Sequence, residues 1–259
     1  MEIKAMYFSP TKTSKEVICE IAETLSKKLN LKINELDITK NRESSPEFSK
    51  EDIFILALPV YGGRIPEIVE DYIKNLKGNQ TKAIVLSVYG NADYGDALLE
   101  MRNILNENNF SVIAGGLFIG EHSFTRNLAT DRPDDDDLKI AKDFANSISE
   151  KIDILGKDTS ASIEVNGNFP YKERGPLPPV TPVTNDNCNK CMDCVEDCPT
   201  GAINSEDPTI SNQEKCILCC ECIKICPENA KYIDNEDILG LAKTLEENFS
   251  KRKEPELFI

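Results

Sequence analysis

CNKCMDCVEDCP, residues 188–199, sets four cysteines within eleven residues and closes on a proline. A second copy, CILCCECIKICP, fills residues 216–227. A constant offset of 28 carries Cys188, Cys191, Cys194, Cys198 and Pro199 onto Cys216, Cys219, Cys222, Cys226 and Pro227, and Ala202 onto Ala230. The chain therefore contains an internal duplication. Nine of its ten cysteines lie between Cys188 and Cys226.

Three thiolates spaced C-x2-C-x2-C can cap three corners of an iron–sulfur cube, and the cysteine before the proline reaches across to the other cube. That spacing is the run of bacterial ferredoxins. It assigns Cys188, Cys191, Cys194 and Cys226 to one [4Fe-4S] cluster and Cys216, Cys219, Cys222 and Cys198 to a second. Zinc sites pair two ligands and then leave a longer gap, which this run lacks. Cys220 follows the ligand Cys219 and reads as a bystander, and Cys19 reads as a packed or idle thiol within a helical pattern.

The chain ahead of the cysteines alternates between two periodicities. Apolar runs at 2–8, 31–38, 52–61, 82–89 and 111–119 read as strands, separated by helical spacing at 13–29, 67–76, 96–108 and 134–155. Alternating strand and helix predicts a doubly wound parallel sheet of five strands. In such sheets ligands bind beyond the carboxyl ends of the strands. The first of those ends carries Ser9, Thr11, Lys12, Thr13 and Ser14, hydroxyls and a cation at the start of a helix, suited to a phosphate. N-capping by Thr11 or Thr13 is the simpler alternative. The third end carries Pro59, Val60, Tyr61, Gly62 and Gly63, and the fourth carries Tyr89, Gly90, Asn91, Tyr94 and Gly95. Glycines there let backbone approach a flat ligand, and the tyrosines offer aromatic faces. His122, the single histidine, follows the last strand and could donate a hydrogen bond to such a ligand. Asp134–Asp137 reads as an acidic helix start rather than a calcium site. Arg64 and Arg126 could face either the ligand or a partner.

On these loops the first half resembles the flavodoxin family, and with the cysteine run the whole chain resembles flavodoxin–ferredoxin fusion proteins of the EFR1 type. The resemblance also takes in FSPTKTSK, PVYGGRIP and the EHSF…DRPDDDD segment. It implies a flavodoxin-like domain whose first loop holds the phosphate of FMN while the other two flank its isoalloxazine ring, followed by a small α+β 2[4Fe-4S] ferredoxin domain. The expected boundaries are 1–156 for the first domain, a proline-rich linker over 157–185, the ferredoxin domain over 186–236, and a C-terminal helix over 237–259. The linker, with GPLPPVTP at its centre, reads as a stiff extended spacer.

The net charge of −15, from 45 acids against 30 bases, disfavours nucleic acid and favours a basic redox protein as partner. MEIKAMYFSPT reads as a strand rather than a signal peptide, and no apolar run approaches the roughly 20 residues of a membrane span. A cytoplasmic location follows as the expectation. The functional expectation is an electron-transfer protein that carries FMN and two [4Fe-4S] clusters and converts between one- and two-electron steps. The alternatives are an FMN-dependent oxidoreductase fed by the clusters, with His122, Ser123 and Arg126 lining its pocket, and a docking module that has lost FMN.

Overall fold

The computed structural model describes every residue except Leu177. Its first half is a parallel sheet of β1 (Ile3–Tyr7), β2 (Ile33–Asp37), β3 (Ile53–Pro59), β4 (Thr81–Tyr89) and β5 (Phe110–Ile119). Between them run α1 (Thr13–Leu29), α2 (Glu67–Lys74) and α3 (Ala97–Glu107), and α4 (Asp135–Leu155) follows the last strand. The strand order is β2-β1-β3-β4-β5, which is the flavodoxin-like order of doubly wound sheets.

Strand periodicity divides the core between the two sheet faces. Met6, Phe54, Leu56 and Leu58 join the apolar cluster that also holds Val69 and Ile73 of α2 and Leu98, Met101 and Leu105 of α3. Ile3, Ala5, Ile53 and Ile55 join the opposite cluster, with Val17, Ile18 and Ile21 of α1 and Ala141, Phe144 and Ile148 of α4. Because β3, β4 and β5 are covered on both faces, they read as continuous apolar runs. The four aspartates at 134–137 start α4: Asp134 accepts from the Asp137 amide at 3.1 Å and Asp137 accepts from the Asp134 amide at 3.0 Å, a reciprocal cap.

The predicted five-stranded sheet has six strands. β8 (Glu256–Phe258), at the end of the chain, pairs antiparallel to β5 through Gly115↔Phe258 and Leu117↔Glu256. Three residues are too short for a strand signal, and only the return of the tail from the second half brings them to the sheet edge.

The stretch between the halves is bound to the sheet domain rather than held away from it. Ile163 is buried in the core under Gly115. The Asp96 carboxylate accepts from the backbone amides of Asn168 at 2.7 Å and Lys172 at 2.6 Å. Arg174 donates to Glu70 at 2.9 Å and to the Ile65 carbonyl at 3.0 Å.

The second half repeats itself in backbone as well as in sequence. The short helices α5 (Asp193–Glu196) and α6 (Glu221–Lys224) stand 28 residues apart. So do the left-handed residues Lys190 and Leu218, Met192 and Cys220, and Gly201 and Asn229. The Ala202 amide donates to Cys198 Sγ and the Ala230 amide to Cys226 Sγ, both at 3.2 Å. β6 (Val183–Thr184) and β7 (Lys231–Tyr232) form a separate antiparallel pair. α7 (Glu236–Phe249) begins with the Asn235 side chain accepting from the Ile238 amide. This helix touches both halves: Ile238 packs with Cys220, Ile233 and Phe124, and Glu246 accepts from Thr125 and from Asn127. Among the described residues, no helix is long and apolar enough to cross a membrane.

Candidate functional site: a loop-rimmed cavity beside two four-cysteine hollows

A cavity of about 650 Å³ opens at the carboxyl ends of the parallel strands. From the loops singled out in the sequence it takes Thr11 and Thr13, then Pro59, Val60, Tyr61 and Gly62, then Tyr89, Gly90 and His122. The far wall comes from the second half, through Thr200, Lys215, Ile217 and Leu218, and from the connecting segment, through Arg174 and Gly175. These residues carried no local signal, because their place in the wall depends on how the halves dock.

The remaining loop residues shape the rim without lining the cavity. Ser9 Oγ accepts from the Lys15 amide at 3.0 Å and caps the first turn of α1. Lys12 adopts a left-handed backbone, φ 66°, and turns its ammonium to the second half, 3.6 Å from Asp197 and 3.9 Å from Glu221. Gly62 and Gly63, at φ 61° and 86°, form the tight turn closed by mutual hydrogen bonds between Tyr61 and Arg64. Gly63 and Gly95 lie against each other, and a Cβ on Gly95 would stand 2.4 Å from the Gly63 carbonyl oxygen. The Asp96 amide donates to that same carbonyl at 2.7 Å, locking the second loop to the third. Asn91 and Tyr94 face the C-terminal tail: Asn91 Nδ2 donates to the carbonyls of Phe249 and Lys251, and the Tyr94 hydroxyl meets Glu256 at 3.4 Å. Arg64 is fixed to the buried Glu100 carboxylate at 2.6–2.8 Å, and Arg126 donates to the Lys224 carbonyl.

The donors at the head of α1 fit a phosphate. Lys12 itself supplies no side-chain cap to this 17-residue helix, Ser9 satisfies only the Lys15 amide, and Ser14 Oγ is buried without a partner among the described residues. An anion there would satisfy orphan donors at the positive end of the helix dipole. Apolar and aromatic walls at Tyr61, Val88, Tyr89 and Phe124 suit a flat ring at the other end. Burial, with Lys224 nearby, lowers the His122 pKa from 6.5 to about 4, so its imidazole is neutral. Nδ1 accepts from the Phe124 amide at 3.1 Å, which leaves the proton on Nε2 as a donor.

Each set of four cysteines expected from the spacing encloses its own hollow. Cys188, Cys191, Cys194 and Cys226 line one, and Cys198, Cys216, Cys219 and Cys222 line the other, so in each the cysteine before the proline comes from the other copy. Among the described residues, no three His, Cys, Asp or Glu groups close on a single metal ion. Burial pushes the Cys219 thiol up to about 12, so it ionises only where a cation compensates its charge. Cys220 also borders the second hollow, but its Sγ donates to the Leu218 carbonyl and the residue packs with Ile238 of α7. Cys19 is half-buried on α1, remote from both hollows.

The strand order and the paired four-cysteine hollows define a class of protein: a flavodoxin-like α/β domain fused to an iron–sulfur domain of the 4Fe-4S type. Comparison with known proteins agrees at the second half, where residues 209–232 match the 4Fe-4S binding domain family. No curated protein matches the chain significantly in sequence. Among solved structures, a flavodoxin from the domain Archaea aligns over 59% of this chain and 99% of its own at 13% identity and a TM-score of 0.43. Oxidised flavodoxin 2 from Bacillus cereus aligns over 58% and 99% at 16% identity and a TM-score of 0.43. The rubredoxin oxygen:oxidoreductase of Desulfovibrio gigas aligns over 59% of this chain and 36% of its own at 12% identity and a TM-score of 0.41.

Proposed function

We propose that this chain is an electron-transfer protein with FMN in the loop-rimmed cavity and a [4Fe-4S] cluster in each four-cysteine hollow. It shuttles low-potential electrons between redox protein partners. The observation that carries this reading is a shared wall: Thr200 and Ile217 border the cavity on one side and the Cys198–Cys216–Cys219–Cys222 hollow on the other. Thr11, Thr13, Ser14 and the first amides of α1 hold the phosphate. Tyr61, Gly62, Tyr89 and Gly90 border the ring, and His122 presents its Nε2 proton there. FMN supplies chemistry in one- or two-electron steps, whereas each cluster supplies single electrons. The ion pairs and hydrogen bonds between the halves hold both sites in one body, so transfer needs no diffusional encounter. The acidic surface, −15 overall, suits basic partners.

The test is anaerobic purification with assays for FMN and iron. The reading expects one FMN and about eight irons per chain, four for each cube. FMN that fails to bind at saturation, or an iron content near half that value, refutes it. A second reading, a flavoenzyme on a small substrate, draws on the extension of the cavity past the three loops to Pro66, Ile68 and Arg174. Turnover of added quinone or reduced nicotinamide at the flavin, saturating in substrate, would favour it.

A further inference from the structure

The two copies of the cysteine motif differ at the positions that decide which hollow faces the cavity. An offset of 28 relates Ile217 to Asn189, Leu218 to Lys190 and Thr200 to Glu228. Around the hollow that borders the large cavity these positions hold two apolar side chains and a hydroxyl. Leu218 is buried, Ile217 packs against the sheet-domain core, and Thr200 Oγ1 lies 3.6 Å from Cys198 Sγ. Around the other hollow Asn189, Lys190 and Glu228 are exposed, and Asn189 Nδ2 donates to Glu228 Oε1 at 3.0 Å. Among the described residues, none that lines the Cys188–Cys191–Cys194–Cys226 hollow also lines the large cavity. Cys191 is exposed, whereas Cys219 is 9% exposed.

We infer that the duplicated module is polarised. Thr200 and Ile217 form the crossing between the flavin and the inner cluster of Cys198, Cys216, Cys219 and Cys222, and the outer cluster of Cys188, Cys191, Cys194 and Cys226 is the outlet to the partner. This rests on FMN and both clusters being bound as proposed above. Reduced FMN, protonated at N5, loses two electrons and that proton; each cube takes one electron, from its 2+ to its 1+ state, and the proton passes to water. One flavin thus discharges into both cubes in sequence, inner before outer. The polarity comes from the lining. An apolar, water-excluding wall couples the inner cube to the cavity, and a polar, hydrated rim opens the outer cube to other proteins.

The test compares Cys219→Ser with Cys191→Ser in anaerobic holoprotein, after FMN and iron have been assayed; absence of FMN or of one cube from the wild type defeats the functional reading and the polarity with it, whereas a fully loaded wild type confines any failure below to the polarity. Two readouts follow: the equilibrium midpoint of the flavin absorbance, and the rate of cube bleaching after flash reduction of the flavin. Loss of the inner cube in Cys219→Ser shifts the flavin midpoint and slows bleaching by about tenfold or more. Loss of the outer cube in Cys191→Ser leaves both near wild type but slows reduction of added cytochrome c by a similar factor. The opposite pattern, or equal effects of the two, overturns the inference. Should either serine variant fail to fold, Ile217→Ala and its counterpart Asn189→Ala keep all eight thiols. Ile217→Ala alone then slows bleaching and moves the flavin midpoint; equal behaviour of this pair overturns the inference as well.

Discussion

The side-chain amide of Asn91, in the loop after β4, donates to the Phe249 carbonyl at 2.6 Å, 158 residues along the chain. The same side chain donates to the Lys251 carbonyl at 3.0 Å and accepts from the Lys253 amide at 3.1 Å. One residue of the sheet domain thereby holds the strand-bound tail that follows α7. Asn91 has a left-handed backbone, φ 61°, which asparagine tolerates better than most residues.

Asn91→Ala removes three hydrogen bonds and leaves backbone groups of the tail unpaired. We expect a loss of about 2–3 kcal/mol in chemical denaturation. Hydrogen exchange will rise across residues 249–258 while the β3 and β4 amides stay protected. Unchanged exchange in the tail would show that β8 pairing alone retains it.

Glu100 is 1% exposed and accepts from Arg64 Nε at 2.8 Å, from the Ile65 amide at 3.1 Å and from Arg174 at 3.4 Å. Truncation to alanine leaves two guanidinium groups short of their carboxylate. A destabilisation of about 3–5 kcal/mol is expected. Proteolysis should then cut first in the segment around Arg174, because that arginine ties the connecting chain to α2 and α3.

Gly95→Ala places a Cβ 2.4 Å from the Gly63 carbonyl oxygen at a residue with φ +53°. Both atoms belong to backbone, so the loops must separate. A cost of about 1–3 kcal/mol follows, with weaker FMN binding measured by fluorescence titration. If affinity is unchanged, the lock between the second and third loops is not what shapes the ring site.

His122 has a pKa of about 4 in the folded protein against 6.5 in the unfolded chain, chiefly from burial, with Lys224 adding to the effect. A lowered pKa favours the neutral form on folding. Its stabilising effect is therefore complete above pH 6.5 and is lost as the pH falls towards 4. Relative to His122→Gln, the wild type should lose about 1–3 kcal/mol across that window in denaturation curves. Parallel curves for the two proteins would mean that His122 is accessible to water.

Lys12→Glu sets a carboxylate beside Asp197 and Glu221, which the native ammonium approaches at 3.6 and 3.9 Å. Lys12→Ala should cost about 1–3 kcal/mol, since the contact with Asp197 is partly exposed but the buried Glu221 loses a neighbouring cation. The reversal to glutamate should expand the molecule in small-angle scattering at low salt, lessened by the Lys40–Asp197 pair at 3.0 Å, and added salt should restore compactness by screening the like charges. No change at any salt would place the hold between the halves wholly in the Ile217 packing and the tail.

Much of the molecule is written locally in its residues. Apolar runs at 52–61 and 82–89 read as strands covered on both sides, and the structure has β3 at Ile53–Pro59, three residues shorter, and β4 at Thr81–Tyr89, one residue longer. Spacing alone paired Cys226 with the first three cysteines and Cys198 with the later three, because a duplicated motif repeats its backbone as well as its thiols, down to the left-handed residues at 190 and 218. The glycine pair at 62–63 reads in the sequence as room for a flat ligand, and the structure adds that its two positive φ angles, which glycine takes at little cost, close a tight turn.

Other features depend on residues far apart in the chain. Lys12 looked like a phosphate ligand, but its ammonium reaches acids of the second half at 197 and 221. The 256–258 stretch becomes a strand only because α7 ends beside the open edge of β5. The connecting segment looked like a spacer, yet Asp96, Glu100 and Glu70 collect its amides and Arg174 from across the sheet domain. Periodicity and spacing report forces between neighbours in sequence, namely burial of a face and the reach of a short run of thiolates. The docking of the two halves, and with it the far wall of the cavity, arises from contacts whose partners stand 100 residues or more apart, and such pairing leaves no local pattern to read.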